Sequence, residues 1–172
     1  MKKLIILITL ISVAVLNNAR AQSANTDTAT LHFITHASIS NLHEIASGKL
    51  ASQKAARADV KAYGQRMVTD HTKAQTQLMQ LAKAKGYQVP SQATTPPVND
   101  PMLSKASGKD FDRMYVHMMA PSHRQAVILF QDYAIKGKDS AVKAFVQQTL
   151  PILKQHLAAI MALDAQIKDV AK

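Results

Sequence analysis

Three histidines and one glutamate are the residues of this chain whose types and positions favour metal chemistry. His71 stands in the stretch MVTDHTKAQ, among apolar residues at helical spacing, and His123 and His156 lie on apolar helical stripes in the same way. Glu44 lies on the shoulder of such a stripe and is the only glutamate in the 172 residues. Neutral imidazoles with one carboxylate suit a single divalent Zn, Fe, Mn or Cu ion.

The positions of these four residues also predict that they share one level. In an antiparallel helical hairpin, residues equidistant from the turn lie at the same height. Glu44 and His71 are mirror positions about 57.5, His123 and His156 about 139.5, and His71 and His123 about 97. The first two centres fall in predicted turns and the third falls in the middle of a long connection. We therefore expect one polar residue per helix in a single layer.

Two interpretations of that layer remain open. Four unpaired polar groups among apolar side chains would cost several kcal/mol each, so the layer needs partners. A metal ion bound by His71, His123, His156 and Glu44 would satisfy them. The alternative is a metal-free hydrogen-bonded network, completed by Asp70, Tyr63 or Tyr115.

Four long segments carry the helical period that would position this layer, and no strand pattern competes with it. The second segment has Asp59 as its expected N-cap and Gly86 as its stop, and the fourth is capped by Asp139 or Ser140. The predicted helices span residues 28–54, 59–85, 109–136 and 140–169.

The connection between the second and third helices is rich in proline. It reads YQVPSQATTPPVNDP (87–101), and we expect an ordered or semi-extended segment without secondary structure. Pro121 and Pro151 fall inside the third and fourth helices and predict kinks there. A weak repeat, ADVKAY and SAVKAF, opens the second and fourth helices. The pattern predicts an all-α, antiparallel four-helix bundle with one long connection.

The first 21 residues have the pattern of a signal peptide. Lys2 and Lys3 precede an apolar run from Leu4 to Leu16, and Ala19-Arg20-Ala21 supplies small residues for cleavage. Residues 22–172 are then one exported domain, expected in a bacterial periplasm. The chain has no cysteine, which excludes disulfides and thiolate metal sites.

The charge of the chain bears on its partners. Removing Lys2, Lys3 and Arg20 from a net charge of +10 leaves about +7. A basic surface favours peripheral contact with anionic envelope lipid, whereas the lack of a basic-aromatic stripe and of tryptophan argues against nucleic acid. The alternative function is therefore a metal-free, stress-related envelope protein that meets anionic lipid or a protein partner. No nucleophile motif or glycine-rich phosphate loop indicates an enzyme.

The remaining histidines have simpler interpretations. His32, His36 and His43 share one face of the first helix with Lys54, and we expect that face to be solvated. His117 lies on a different face from His123 and has no expected partner.

Several stretches resemble a known family. LHEIASGKLASQKA, VKAYGQRMVTDHTKAQTQL, GKDFDRMYVHMMAPSHRQAVILF and QTLPILKQH are similar to a bacterial exported family of unknown function with a ferritin-like domain, whose members are often labelled predicted outer-membrane proteins. The similarity extends from about residue 29 to residue 164. It implies a ferritin-like bundle and an envelope location, but no activity.

The resemblance also implies a set of site residues. The positions that match are Glu44, Asp70, His71, Asp112, Tyr115, His123 and His156. Among them, Asp70, Asp112 and Tyr115 are candidates for holding the metal ligands in place, while His117 departs from the family pattern. A di-iron centre is not expected, because the chain has a single glutamate and no Glu-x-x-His sequence.

Overall fold

The computed structural model describes residues 27–90 and 101–170, with side chains up to residue 167. Every secondary-structure element in these residues is a helix, so the all-α prediction is confirmed there. The predicted signal peptide (1–21) and most of the predicted connection lie outside the described residues. The helices are α1 (Thr28–Lys54), α2 (Ala58–Ala84), α3 (Pro101–Lys105), α4 (Gly108–Lys136) and α5 (Ser140–Val170).

Local signals explain most of the helix ends. Asp27 caps α1 by accepting a hydrogen bond from the backbone N–H of Thr30 at 3.1 Å. Asp139, rather than Ser140, caps α5, since its Oδ1 accepts from the N–H of Val142 at 3.0 Å. Gly86 follows α2 with a φ of +70°, the left-handed conformation that glycine adopts without strain.

The predicted N-cap of α2 was wrong. Arg57 occupies the cap position without a side-chain cap bond, and Asp59 lies inside the first turn. The carboxylate of Asp112 on α4 accepts from the backbone N–H groups of Ala56 and Arg57, each at 3.0 Å. A carboxylate from another helix thus meets the N–H groups at the start of α2, which the local sequence cannot show.

The end of the proline-rich stretch also differs from the prediction. Pro101 begins the short helix α3, where its missing N–H costs nothing because the first helical residue needs no intrahelical donor. Leu103 of this helix is buried in the core. The helices α4 and α5 continue through Pro121 and Pro151, both exposed, and kinks at these positions stay a prediction.

The long helices form a helical bundle in which α1 contacts α2 and α4, and α5 also contacts α2 and α4. Two glycines, Gly48 and Gly64, lie where α1 and α2 approach each other closely. A Cβ atom on Gly48 would lie 2.6 Å from the carbonyl oxygen of Gly64, so the backbones could not approach this closely with larger residues. None of the helices in residues 27–90 and 101–170 has the length and apolarity needed to cross a membrane.

The core consists of two apolar clusters with polar residues between them. The first includes Phe33, Leu78, Phe130 and Phe145, and the second includes Met67, Phe111, Tyr115 and Ile160. The buried polar side chains at intermediate positions along the four long helices are Ser38, Asn41, Glu44, Ser47, His71, Gln75, His123, Thr149 and His156. We call these residues the polar layer.

Candidate metal centre

Three histidines of the polar layer face one another from three helices. His71 is on α2, His123 on α4 and His156 on α5, and their side chains are buried, as their apolar stripes predict. The centroids of the three rings are 5.4 to 5.8 Å apart. One ring nitrogen from each histidine lies within 4.8 Å of the other two.

A chain of hydrogen bonds fixes the protonation of His71. The carbonyl oxygen of Pro90 can only accept, so the Ser38 hydroxyl donates to it at 2.6 Å. Ser38 Oγ then accepts from Gln75 Nε2 at 2.8 Å. Gln75 Oε1 in turn faces Asn41 Nδ2 at 3.3 Å. Asn41 Oδ1 is therefore the acceptor for His71 Nδ1 at 2.9 Å. His71 carries its hydrogen on Nδ1, and Nε2 keeps a free lone pair.

The other two histidines are held by acceptors as well. His123 Nδ1 lies 3.1 Å from the carbonyl oxygen of Met119, one turn earlier on α4, and so donates to it. His156 Nε2 donates to Asp70 Oδ2 at 2.8 Å, and Asp70 is also paired with Arg66 at 3.3 Å. Each imidazole thus has one nitrogen tied to an acceptor, which leaves the lone pair on the other nitrogen.

These lone pairs lack good partners among the described residues. His71 Nε2 and His156 Nδ1 are buried without a hydrogen bond, and His123 Nε2 has only a long contact of 3.4 Å to the hydroxyl of Tyr63. Burial lowers the pKa of all three imidazoles, to about 4 for His123 and well below the usual value for His71. For His156, burial outweighs the opposing effect of Asp70 on the pKa. The three rings are therefore neutral at pH 7.

Glu44 is buried inside the core rather than on a shoulder of it. Its Oε1 accepts from the Ser122 hydroxyl at 2.9 Å and lies 3.5 Å from His123 Nδ1, the nitrogen that already faces Met119. The possible ligand atoms that lie within 4.8 Å of one another belong to the three histidines, and no oxygen of Glu44 is among them. Burial raises the pKa of Glu44 to about 8, against a smaller lowering by Ser122. The carboxyl group is thus a neutral acid at pH 7.

Asn41, which sequence analysis missed, takes the position that Glu44 was expected to hold opposite His71. The contacts Asn41 with His71 and Gly48 with Gly64 are both centred on position 56. The predicted centre of 57.5 came from pairing Glu44 with His71, and it lies 1.5 positions too late. The signal that could have identified Asn41 is its place as a polar residue three positions before Glu44 on the same face.

The three residues expected to hold the metal ligands in place, Asp70, Asp112 and Tyr115, lie at different distances from the histidines. Asp70 contacts a histidine directly, as described above, whereas Asp112 lies three turns before His123 on α4 and contacts the α1–α2 turn. The ring of Tyr115 is 6.2 Å from that of Tyr63, which in turn lies 6.1 Å from the His123 ring. Asp112 therefore lies too far from the rings to hold a ligand in place, and Tyr115 packs beside Tyr63, the tyrosine that contacts His123.

The other histidines lie outside the polar layer. His32, His36 and His117 are exposed, and His43 is half-buried. The rings of His32 and His36 are 4.2 Å apart on the surface of α1.

A pocket of about 220 Å³ opens between α2 and α5 beside the three histidines. Its lining in the described residues includes Asp70, His71, Lys73, Gln148, Thr149 and His156. Lys73 and Gln148 are exposed, so the pocket leads from solvent to two of the three imidazoles.

Comparison with known proteins places the chain in a family. A family model described as a domain of unknown function, DUF4142, matches residues 15–163. The chain belongs to this family. No curated protein and no solved structure matches it. The resemblance to a family of unknown function is thereby confirmed, and membership in DUF4142 brings no activity or ligand with it.

The donor set in this DUF4142 chain fits a transition-metal ion. Metal–nitrogen bonds of about 2.0–2.1 Å in a tetrahedral site place the nitrogens about 3.4 Å apart. The nitrogens here lie within 4.8 Å, so inward shifts of about 0.8 Å per ring would suffice. Acceptors on the outer nitrogens, including the carboxylate of Asp70, are the usual supports of metal-bound imidazoles.

Proposed function

We propose that this DUF4142 chain is an exported, ferritin-like helical bundle that binds one divalent transition-metal ion through His71, His123 and His156. The observation that carries the proposal is the shared arrangement of the three rings. Each buried imidazole gives one nitrogen to a fixed acceptor and keeps the other without a good partner among the described residues, and one nitrogen of each ring lies within 4.8 Å of the other two. The ligand atoms are then His71 Nε2, His123 Nε2 and His156 Nδ1.

The free energy of the buried lone pairs favours a metal ion over a metal-free network. A buried acceptor without a donor costs about 1–3 kcal/mol. A network that had evolved for stability would bring a hydroxyl or amide donor to each lone pair, yet in the described part of the chain only the Tyr63 hydroxyl approaches one of them, at 3.4 Å. A metal ion satisfies three lone pairs at once.

The donor set also narrows the choice of metal. Three neutral imidazoles suit Zn²⁺, Cu²⁺ or Fe²⁺, whereas Mn²⁺ prefers a site richer in carboxylates. Glu44 approaches His123 on the edge of the ring that faces away from the common centre, so it supports the ligand rather than joining it. A mononuclear site is consistent with the single glutamate of the chain.

The ferritin-like class and the export are parts of the same proposal. The ring of contacts among α1, α2, α4 and α5 is the neighbour pattern of an antiparallel four-helix bundle. The charged, apolar and small-residue segments of the first 21 residues support export to a periplasm. Metal storage, delivery and sensing in that compartment are all compatible with a buried histidine site.

The test is the metal content of the exported mature protein, expressed without a histidine tag and measured by mass spectrometry. We expect about one equivalent of one metal in the wild type, and its loss in His123→Ala. His117→Ala is the matched control, because His117 is exposed on the same helix and should leave the metal in place.

The proposal fails if the wild type carries no stoichiometric metal and no divalent ion raises its melting temperature. It also fails if His117→Ala loses the metal as His123→Ala does. Absence of metal in every variant would favour the metal-free envelope protein instead, and salt-dependent binding to anionic vesicles would then be the next measurement.

A further inference from the structure

The two sides of the histidine cluster differ in their access to solvent. His71 and His156 line the pocket between α2 and α5, and His123 is absent from the pocket's lining in the described residues. The ring of His123 is fully buried, with Met119 and Glu44 beside its Nδ1 and the Tyr63 hydroxyl 3.4 Å from its Nε2. An ion held by the three rings would therefore be closed off on the α4 side and approachable from the α2–α5 side.

The positive charge of a divalent ion at this site would be stabilised by a bound anion. Three neutral imidazoles leave the two positive charges of the ion uncompensated in a buried environment, where charge is poorly solvated. Asp70 is the nearest carboxylate on the open side, but it is held by the N–H of His156 and by Arg66. An additional negative ligand would stabilise the loaded site.

The pocket has the size and polarity for a small ligand. Its volume of about 220 Å³ compares with about 30 Å³ for one water molecule in the liquid, so it accommodates a group of a few heavy atoms with some water. Lys73, Gln77, Gln148 and Thr149 bring a cation, amides and a hydroxyl to its walls. These groups can donate hydrogen bonds to an anion.

We propose that the fourth coordination position of the ion opens into the α2–α5 pocket and binds a small monoanion that enters past Lys73. This inference rests on the proposed function, since it needs the metal bound by His71, His123 and His156. It adds that the site is an open centre with an exchangeable ligand rather than a closed structural one.

The experiment uses the full mature protein loaded with Co²⁺, whose visible spectrum depends on its coordination number and ligands. Titration with azide should change the spectrum of the wild type along a saturable curve. Lys73→Glu should weaken azide binding about fivefold, as expected for reversing one charge at a pocket mouth. Lys83→Glu is the matched control, an exposed lysine on α2 about 15 Å farther along the helix, and it should bind azide as the wild type does.

The outcomes separate the two proposals. If the protein takes up no Co²⁺ and no other divalent ion, the proposed function itself fails. If Co²⁺ binds at one equivalent but azide leaves its spectrum unchanged, the metal site stands and the open position is overturned. If Lys73→Glu and Lys83→Glu weaken azide equally, the pocket is not the route and the inference is overturned as well.

Discussion

Two carboxyl groups approach the histidine cluster from opposite sides, and their surroundings differ. Asp70, on the α2–α5 side, has a side chain 29% exposed, accepts from His156 at 2.8 Å and pairs with Arg66. Glu44, on the α1–α4 side, has a side chain 2% exposed, with Ser122 as the donor to its Oε1. Its Oε2 has no hydrogen-bond partner in the described residues.

The difference shows how environment assigns roles to similar groups. Asp70 has a cation and partial access to water, so it can support an imidazole as a charged acceptor. Glu44 lacks both, and burial raises its pKa to about 8, so at pH 7 it is a neutral acid beside His123. The sole glutamate of the chain is thus in the less favourable place for a carboxylate, and the more exposed aspartate is the better support for a ligand.

The largest effect should appear when Glu44→Gln is compared with the wild type as a function of pH, both without metal. The folded pKa of Glu44 is about 8 and its ordinary value is 4.5, so only the unfolded state releases the proton between these values. Between these pH values, ionisation of Glu44 in the unfolded state should therefore lower the free energy of unfolding of the wild type by about 1.4 kcal/mol per pH unit as the pH rises. The variant has no carboxyl group to ionise at this position. Its free energy of unfolding should therefore rise relative to that of the wild type as the pH increases.

Urea unfolding at several pH values between 5 and 8 measures this difference. The histidines contribute the opposite trend, because their lowered pKa values make the folded state less stable as pH falls below about 6.5. They are unchanged in the variant and cancel in the comparison. A constant difference in the free energy of unfolding over this range would show that Glu44 is not a neutral acid in the folded protein.

The next effect concerns the other carboxyl group. Asp70→Asn removes the charge that His156 Nε2–H faces, and the new amide can turn its N–H toward the ring and favour the wrong tautomer. Loss of such a support typically lowers metal affinity 10- to 100-fold, and we expect about that here. Competition with a chelator of known affinity measures the change.

Asp132→Asn is the control for this variant. Asp132 is also on a helix and also pairs with a basic residue, Lys136, but on the exposed surface of α4. If Asp70→Asn and the wild type had equal metal affinity, Asp70 would not support the metal ligand His156.

The smallest effect should come from Asp112→Asn, a residue that the family resemblance associated with the metal. Its carboxylate accepts from two N–H groups at the start of α2, so the amide should cost about 1 kcal/mol of stability. Metal affinity should stay as in the wild type, since Asp112 lies three turns from His123. A loss of affinity comparable with that of Asp70→Asn would contradict this assignment.

The sequence predicted the helices and the inward direction of three histidines well, but not the partners of each ring. The backbone carbonyl of Met119 holds a ring nitrogen of His123 on the same helix, whereas the carboxylate of Asp70 on α2 holds a ring nitrogen of His156 on α5. Asn41 holds His71 at the end of a chain that starts at the carbonyl of Pro90. The contacts of Asp70 and Asn41 depend on distances between helices, which residue types and spacing do not contain.

Local periodicity was enough to predict the features that depend on neighbouring residues of one helix. Helical spacing fixed the bounds of α1 as predicted, and it placed His71, His123 and His156 on buried faces, because residues three or four apart share a face whatever lies opposite. The register between helices, in contrast, depends on how the helices pack against each other. A turn centre at position 56 instead of 57.5 moves the residue opposite His71 by three positions, about 4.5 Å along α1. In a hairpin, an error of 1.5 positions in the centre moves the predicted partner of a residue by twice that amount. This is why the prediction paired His71 with Glu44, whereas Asn41 faces His71 in the structure.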